Sequence, residues 1–106
     1  MLNIEDFKKL ELVVAKIVEA TEHPNADRLY VLKVDNGTEV KQIVAGIRSA
    51  YTKEDLIGKQ VVIVNNLEPA VIRGETSNGM ILAGTDEKGL AIVTPLREMV
   101  LGSRVK

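Results

Sequence analysis

The sequence predicts an all-β barrel, on three observations. Short Val-, Ile- and Leu-rich segments recur along the chain, and several alternate with polar residues as half-buried strands do. Turn-forming residues separate them: Pro24-Asn25, Asn36-Gly37 and Lys88-Gly89. Helical stretches are confined to two short, well-capped pieces, so a helical core is ruled out.

Taken in order, Ile4–Lys9 predicts a short helix, with Asn3 as N-cap and Asp6 three residues on, as in a capping-box variant. Leu10–Thr21 predicts a long, bent strand, since the alternation of Leu10, Leu12 and Val14 gives way to Ile17-Val18. His23-Pro24-Asn25-Ala26-Asp27 ends it, because proline cannot donate to a ladder. Leu29–Asp35 and Glu39–Ala45 follow as a hairpin across Asn36-Gly37, a pair suited to a type I′ turn. Thr52 caps a one- or two-turn helix that stops at Gly58. Gln60–Val64 is a fourth strand, Asn65–Asn78 reads as a long loop, and Gly79–Gly84 pairs with Leu90–Val93. A tail from Pro95 to Lys106 closes the chain. Three strands, a short helix between the third and fourth, then further strands is the order of a five-stranded OB-fold. An SH3-like barrel usually lacks that helix.

The 106 residues suit a single domain with one modest core. A hydrophobic fraction of 45% and a charged fraction of 27% are those of a folded globular chain. The longest apolar run, Val61–Val64, is far too short for a membrane span, and no secretory leader is visible at the start. A cytoplasmic location is therefore expected. The net charge of −1 carries no general nucleic-acid signature, so any such role depends on where the 14 basic residues sit.

Catalysis finds little support. The only Gly-Lys pair, Gly58-Lys59, lacks the glycine and the Ser/Thr of a phosphate loop. One histidine and no cysteine leave no zinc site and no histidine-based triad, so no metal or other cofactor is expected. His23 itself reads as a loop residue.

Four blocks carry a resemblance. His23-Pro-Asn-Ala-Asp-Arg-Leu-Tyr30, Gln42-Ile-Val-Ala-Gly46, Asn66-Leu-Glu-Pro69 and Arg73-Gly74 with Ser77-Asn-Gly-Met80 stand in the order and spacing of one family. In these blocks the chain resembles the tRNA-binding OB domain found at the C-terminus of methionyl-tRNA synthetases, in free-standing dimeric tRNA-binding proteins and in endothelial monocyte-activating polypeptides. The resemblance spans nearly the whole chain. It implies a non-catalytic β subunit of methionyl-tRNA synthetase, with tRNA and the catalytic subunit as partners, gripping the outer elbow of tRNA by shape. It also implies a homodimer.

On that view Arg28 and Lys41 supply phosphate contacts, while Asn25, Gln42, Ser77 and Asn78 bond phosphate or 2′-hydroxyl oxygens. Arg73 reaches the RNA backbone from a Gly-flanked loop, and Met80 offers a soft apolar contact. Each has a plainer role available: a solvated charge, a turn former or, for Met80, a core side chain. Phe7, Leu10, Met99, Val100, Leu101 and Val105 form a terminal apolar set for the two-fold interface, or else cap the barrel. Many family members have lysine where Glu68 and Val71 stand here, so this chain is expected to bind weakly alone and to need two copies, or a catalytic partner. With only Phe7, Tyr30 and Tyr51 available for stacking, a folded RNA fits better than a single strand. A protein-interaction module or export chaperone is the rival.

Overall fold

In a computed structural model that describes all 106 residues, the alternating segments assemble into one antiparallel sheet. Its strands are β1 (Leu12–Glu22), β2 (Tyr30–Asp35), β3 (Val40–Ala45), β4 (Gln60–Val64) and β7 (Met80–Ile81), in the order β3-β2-β1-β4-β7. The inward faces of these strands supply Val13, Ile17, Leu32, Ile43, Val61 and Ile63 to the main core. The fold is the expected OB barrel. Helix α2 (Lys53–Leu56) lies between β3 and β4 and buries Leu56 in that core. Its cap is a complete capping box between Thr52 and Asp55. Helix α1 (Ile4–Lys8) buries no residue, and its cap is simpler than expected: Asn3 accepts from the Asp6 N–H, without a reciprocal bond.

The bend in β1 is a β-bulge. Ile17 pairs with Val34 and Glu19 with Lys33, so Val18 is the extra residue and turns outward, 42% exposed. No helix is long and apolar enough to cross a membrane.

Three local expectations are corrected. The β2–β3 turn is centred on Gly37-Thr38, because Asn36 is buried and still laddered to Glu39. The Asn36 Oδ1 accepts from the Thr38 and Glu39 N–H groups, and its Nδ2 donates to Asn65. Only Gly37 has positive φ there, so the turn is not type I′. The segment 65–78 is not an open loop. It holds a two-stranded ribbon of β5 (Ala70–Ile72) and β6 (Glu75–Ser77) turned by Arg73-Gly74. Finally, Gly79–Gly84 is broken at Leu82, which bonds to Val62. The chain then continues as the hairpin β8 (Ala83–Asp86) and β9 (Gly89–Ile92), whose Leu90 and Ile92 pack against the core.

The tail beyond Pro95 returns along β1. Gly102 donates to Val14 O, Val14 to Ser103 O and Val105 to Leu12 O at 2.8–2.9 Å, so the tail covers an edge of β1. It also seats on the β2–β3 turn: a Cβ on Gly37 would lie 2.5 Å from the Leu101 carbonyl oxygen. Val105 packs on Leu12, Val62 and Val64. Met99 is held at both its N–H and carbonyl by the Gln60 amide. Val100 stays 81% exposed, and Phe7, Leu10 and Val105 line one open groove with Ile4.

Candidate nucleic-acid interface

Two segments meet at one end of the barrel: the β1–β2 loop, residues 23–29, and the tip of the β5–β6 ribbon. The loop is closed by backbone bonds from the His23 N–H to Leu29 O and from the Leu29 N–H to Ala26 O. Asn25 and Arg28 project from it into solvent. Arg28 makes neither an ion pair nor a side-chain hydrogen bond. Facing the loop, Arg73 donates from Nη2 to the Asn25 carbonyl at 3.1 Å. A Cβ on Gly74 would stand 3.9 Å from the Asn25 amide nitrogen. Arg73 is the one non-glycine residue with positive φ, at 54°. Followed by Gly74 at 94°, it forms the two-residue turn of type I′ hand. A left-handed arginine costs about 1–2 kcal/mol, which marks the position as one where backbone comfort has been given up.

The ribbon is stitched to the free edge of β3. The Gln42 amide donates to Thr76 O at 2.9 Å and accepts from Lys33 Nζ at 2.7 Å. Asn78 N–H donates to Gln42 O, and the Ser77 hydroxyl accepts from Val44 N–H while donating to Gly79 O. This seam nearly closes the barrel. Asn78 keeps its side-chain amide uncommitted, and Met80 lies half-exposed on β7.

The eight expected contact residues therefore divide. Asn25 and Arg73 come together, with Arg28 exposed on the same loop as Asn25; Gln42, Ser77 and Asn78 line the adjoining seam. Ser77 is only 3% exposed, and its hydroxyl is engaged with the Val44 N–H and Gly79 O, so it shapes the seam from within. Lys41 departs for a different reason. It shares the inward-facing parity of Ile43 and Ala45 on β3, and its amine bonds Asn65 O at 2.7 Å. That places it in a polar cluster with Asn36, Asn65 and Glu11, on the other side of the strand from Gln42.

Two residues of the site were missed. His23 is buried beneath the loop. Arg48 reaches Ala26 O at 3.5 Å, pairs with Glu22 at 3.4 Å and lies 6.0 Å from the Tyr30 ring centroid. Nothing in the aperiodic 46–52 connection announced Arg48. His23 carried one signal, a lone imidazole at the strand-to-loop junction.

A small barrel whose β1–β2 loop and whose insertion before the last barrel strand, β7, bear the free polar groups defines a binding domain of the OB class. Those are the elements with which OB-folds hold ligands. The sequence profile described as "Putative tRNA binding domain" matches residues 12–104. The chain belongs to that tRNA-binding domain family. It is 50% identical over 105 residues to a methionine–tRNA ligase of Thermococcus onnurineus, covering 99% of this chain and 14% of that enzyme. It is 48% identical over 101 residues to that of Nanoarchaeum equitans, covering 95% of this chain and 13% of the enzyme. The chain thus spans about one-seventh of the length of the curated relatives it matches. Among solved structures, a MetRS-related protein from Pyrococcus horikoshii superposes with a TM-score of 0.93 at 30% identity, covering 100% of this chain and 98% of the other. The chaperone CsaA of Bacillus anthracis does so with a TM-score of 0.90 at 32% identity, covering 100% and 99%.

Proposed function

We propose that this chain is a non-catalytic tRNA-binding unit, the β subunit of a methionyl-tRNA synthetase, acting in the cytoplasm. It holds the sugar–phosphate exterior of the tRNA elbow by shape and thereby aids aminoacylation. The observation that carries this is the left-handed Arg73 held at the Asn25 carbonyl, with the uncommitted Arg28 on the same loop. Strain kept at an exposed cation is understandable when the cation has a ligand. The methionine–tRNA ligase relatives support the choice of RNA and of partner. Asn25 and Asn78 add neutral donors and acceptors suited to phosphate and 2′-hydroxyl oxygens.

Two cations per copy make a weak site, so the unit works as a two-fold dimer through Phe7, Leu10, Met99, Val100, Leu101 and Val105. Exposure of Val100 and the apolar groove at Phe7, Leu10 and Val105 support this. The test is a titration of intact tRNA against unstructured RNA of equal length at rising salt. Two phosphates neutralised by Arg28 and Arg73 of each copy give a log–log slope of about −2 per protomer and about −4 per dimer. Equal affinity for unstructured RNA, or a flat salt response, overturns the proposal.

A second reading has its own support. The chaperone CsaA shares the whole fold, and Val71 stands 72% exposed on the ribbon where a lysine was expected from the family. A protein client bound there would show an affinity insensitive to salt, which separates it from RNA held through phosphates.

A further inference from the structure

His23 is 4% exposed, and it is the one buried imidazole in the chain. Its two ring nitrogens serve two different segments. Nδ1 accepts from the Asn25 N–H at 3.0 Å. Nε2 lies 2.9 Å from the Ile72 carbonyl, which can only accept. Both bonds exist together in one state alone, the neutral ring with its hydrogen on Nε2. Ile72 directly precedes Arg73, and Arg73 returns to the Asn25 carbonyl. Three hydrogen bonds thus form a closed ring: imidazole to ribbon, ribbon arginine to loop, loop amide back to imidazole.

We infer that His23 is a positioning residue of the RNA-holding face, fixing the loop that carries Asn25 and Arg28 against the ribbon tip that carries Arg73. The inference rests on the proposal that this face holds RNA. A purely space-filling side chain would satisfy neither the Asn25 N–H nor the Ile72 carbonyl. The ring contributes no charge, so it acts through the geometry of its neighbours. Both partners are backbone groups of the two segments that present the site cations, which a role in the barrel core does not require. Arg73, left-handed and bonded at one nitrogen, keeps its remaining donors in a set direction only while Ile72 and Asn25 stay in register. Preorganisation of this kind raises affinity by sparing the ordering cost at the moment of binding.

The test is a double-mutant cycle on the full chain, read by tRNA titration at several salt concentrations and by urea unfolding. His23→Ala is expected to weaken tRNA binding roughly fivefold to tenfold, the loss of one or two hydrogen bonds. Its salt slope stays that of the wild type, because no phosphate partner has gone. With Arg73→Ala in the background, His23→Ala has little further effect, since both changes disable one unit. His23→Asn, whose Oδ1 can accept from the Asn25 N–H, recovers part of the loss. Should His23→Ala not fold, His23→Asn and His23→Gln complete the cycle, each keeping one of the two bonds. Additive effects of His23 and Arg73 substitutions, or unchanged affinity in a folded His23 variant, overturn the inference. A wild type without salt-dependent preference for tRNA instead overturns the functional proposal itself, so the two failures are told apart.

Discussion

Replacing Arg73 by asparagine separates what this residue does for the fold from what it does for a ligand. Asparagine is at home in the left-handed region and ahead of glycine in a type I′ turn. The change relieves part of the roughly 1–2 kcal/mol cost of holding arginine at φ 54°. It also removes the 3.1 Å bond from Arg73 to the Asn25 carbonyl, worth about 1 kcal/mol. The two effects offset, and unfolding free energy is expected to move by less than about 1 kcal/mol. For a domain of this size that is a Tm change within roughly 4–8 °C. Binding responds differently. One phosphate partner per protomer is lost, so affinity for tRNA falls about fivefold per site and the salt slope flattens by about 0.9 per protomer, about 1.8 for the dimer.

The assay pairs urea unfolding with fluorescence-anisotropy titration of labelled tRNA from about 50 to 200 mM salt, the range over which phosphate contacts are most visible. Arg73→Lys serves as the charge-retaining control: it keeps the slope while losing the planar donor fork. A stability loss above about 2 kcal/mol with an unchanged slope would refute the reasoning, because the left-handed arginine would then belong to the fold alone.

Ser77→Ala leaves the buried Val44 N–H without a partner and should cost about 1–3 kcal/mol in urea unfolding; a neutral result would mean the seam closes without that hydroxyl. Gly37→Ala places a Cβ 2.5 Å from the Leu101 carbonyl oxygen at a positive φ, so the tail must lift off β1. Its expected signature is a stability loss of at least about 1 kcal/mol, with faster amide exchange at Val14 and Val105. Val100→Asp puts a charge on the exposed apolar tail without touching the tail's backbone bonds, and sedimentation should show dimer giving way to monomer. An unchanged sedimentation profile excludes Val100 from the interface. Deleting Pro95–Lys106 is a poorer probe, since it also strips the bonds between the tail and β1.

Why the strands were legible and the site only partly so has a physical basis. Leu12–Glu22, Tyr30–Asp35 and Gln60–Val64 declare themselves because one face of each must reach the core. The ribbon makes no such demand. Ala70–Ile72 and Glu75–Ser77 are three residues each, too short for alternation to show, and arginine is not a residue that announces a left-handed turn. Asn36-Gly37 announces one loudly but does not form it, since the buried Asn36 is committed to Thr38, Glu39 and Asn65. Local turn chemistry yielded to a tertiary hydrogen-bond cluster.

Lys41 is the instructive case among the site residues, because its place could have been deduced. Ile43 and Ala45 are the apolar partners on β3, and a period of two puts Lys41 on their face and Gln42 on the other. Its amine then has to find oxygen at the barrel end, and Asn65 provides it. The parity that removes Lys41 from the seam also explains why the seam is made of amides and a hydroxyl. Along the free edge of β3, the outward-facing Gln42 side chain and the Val44 N–H need partners, and the ribbon supplies Thr76 O and the Ser77 hydroxyl. Closing the barrel edge and presenting Arg73 are therefore one act: the hydrogen bonds that satisfy β3 also hold the turn from which the arginine projects.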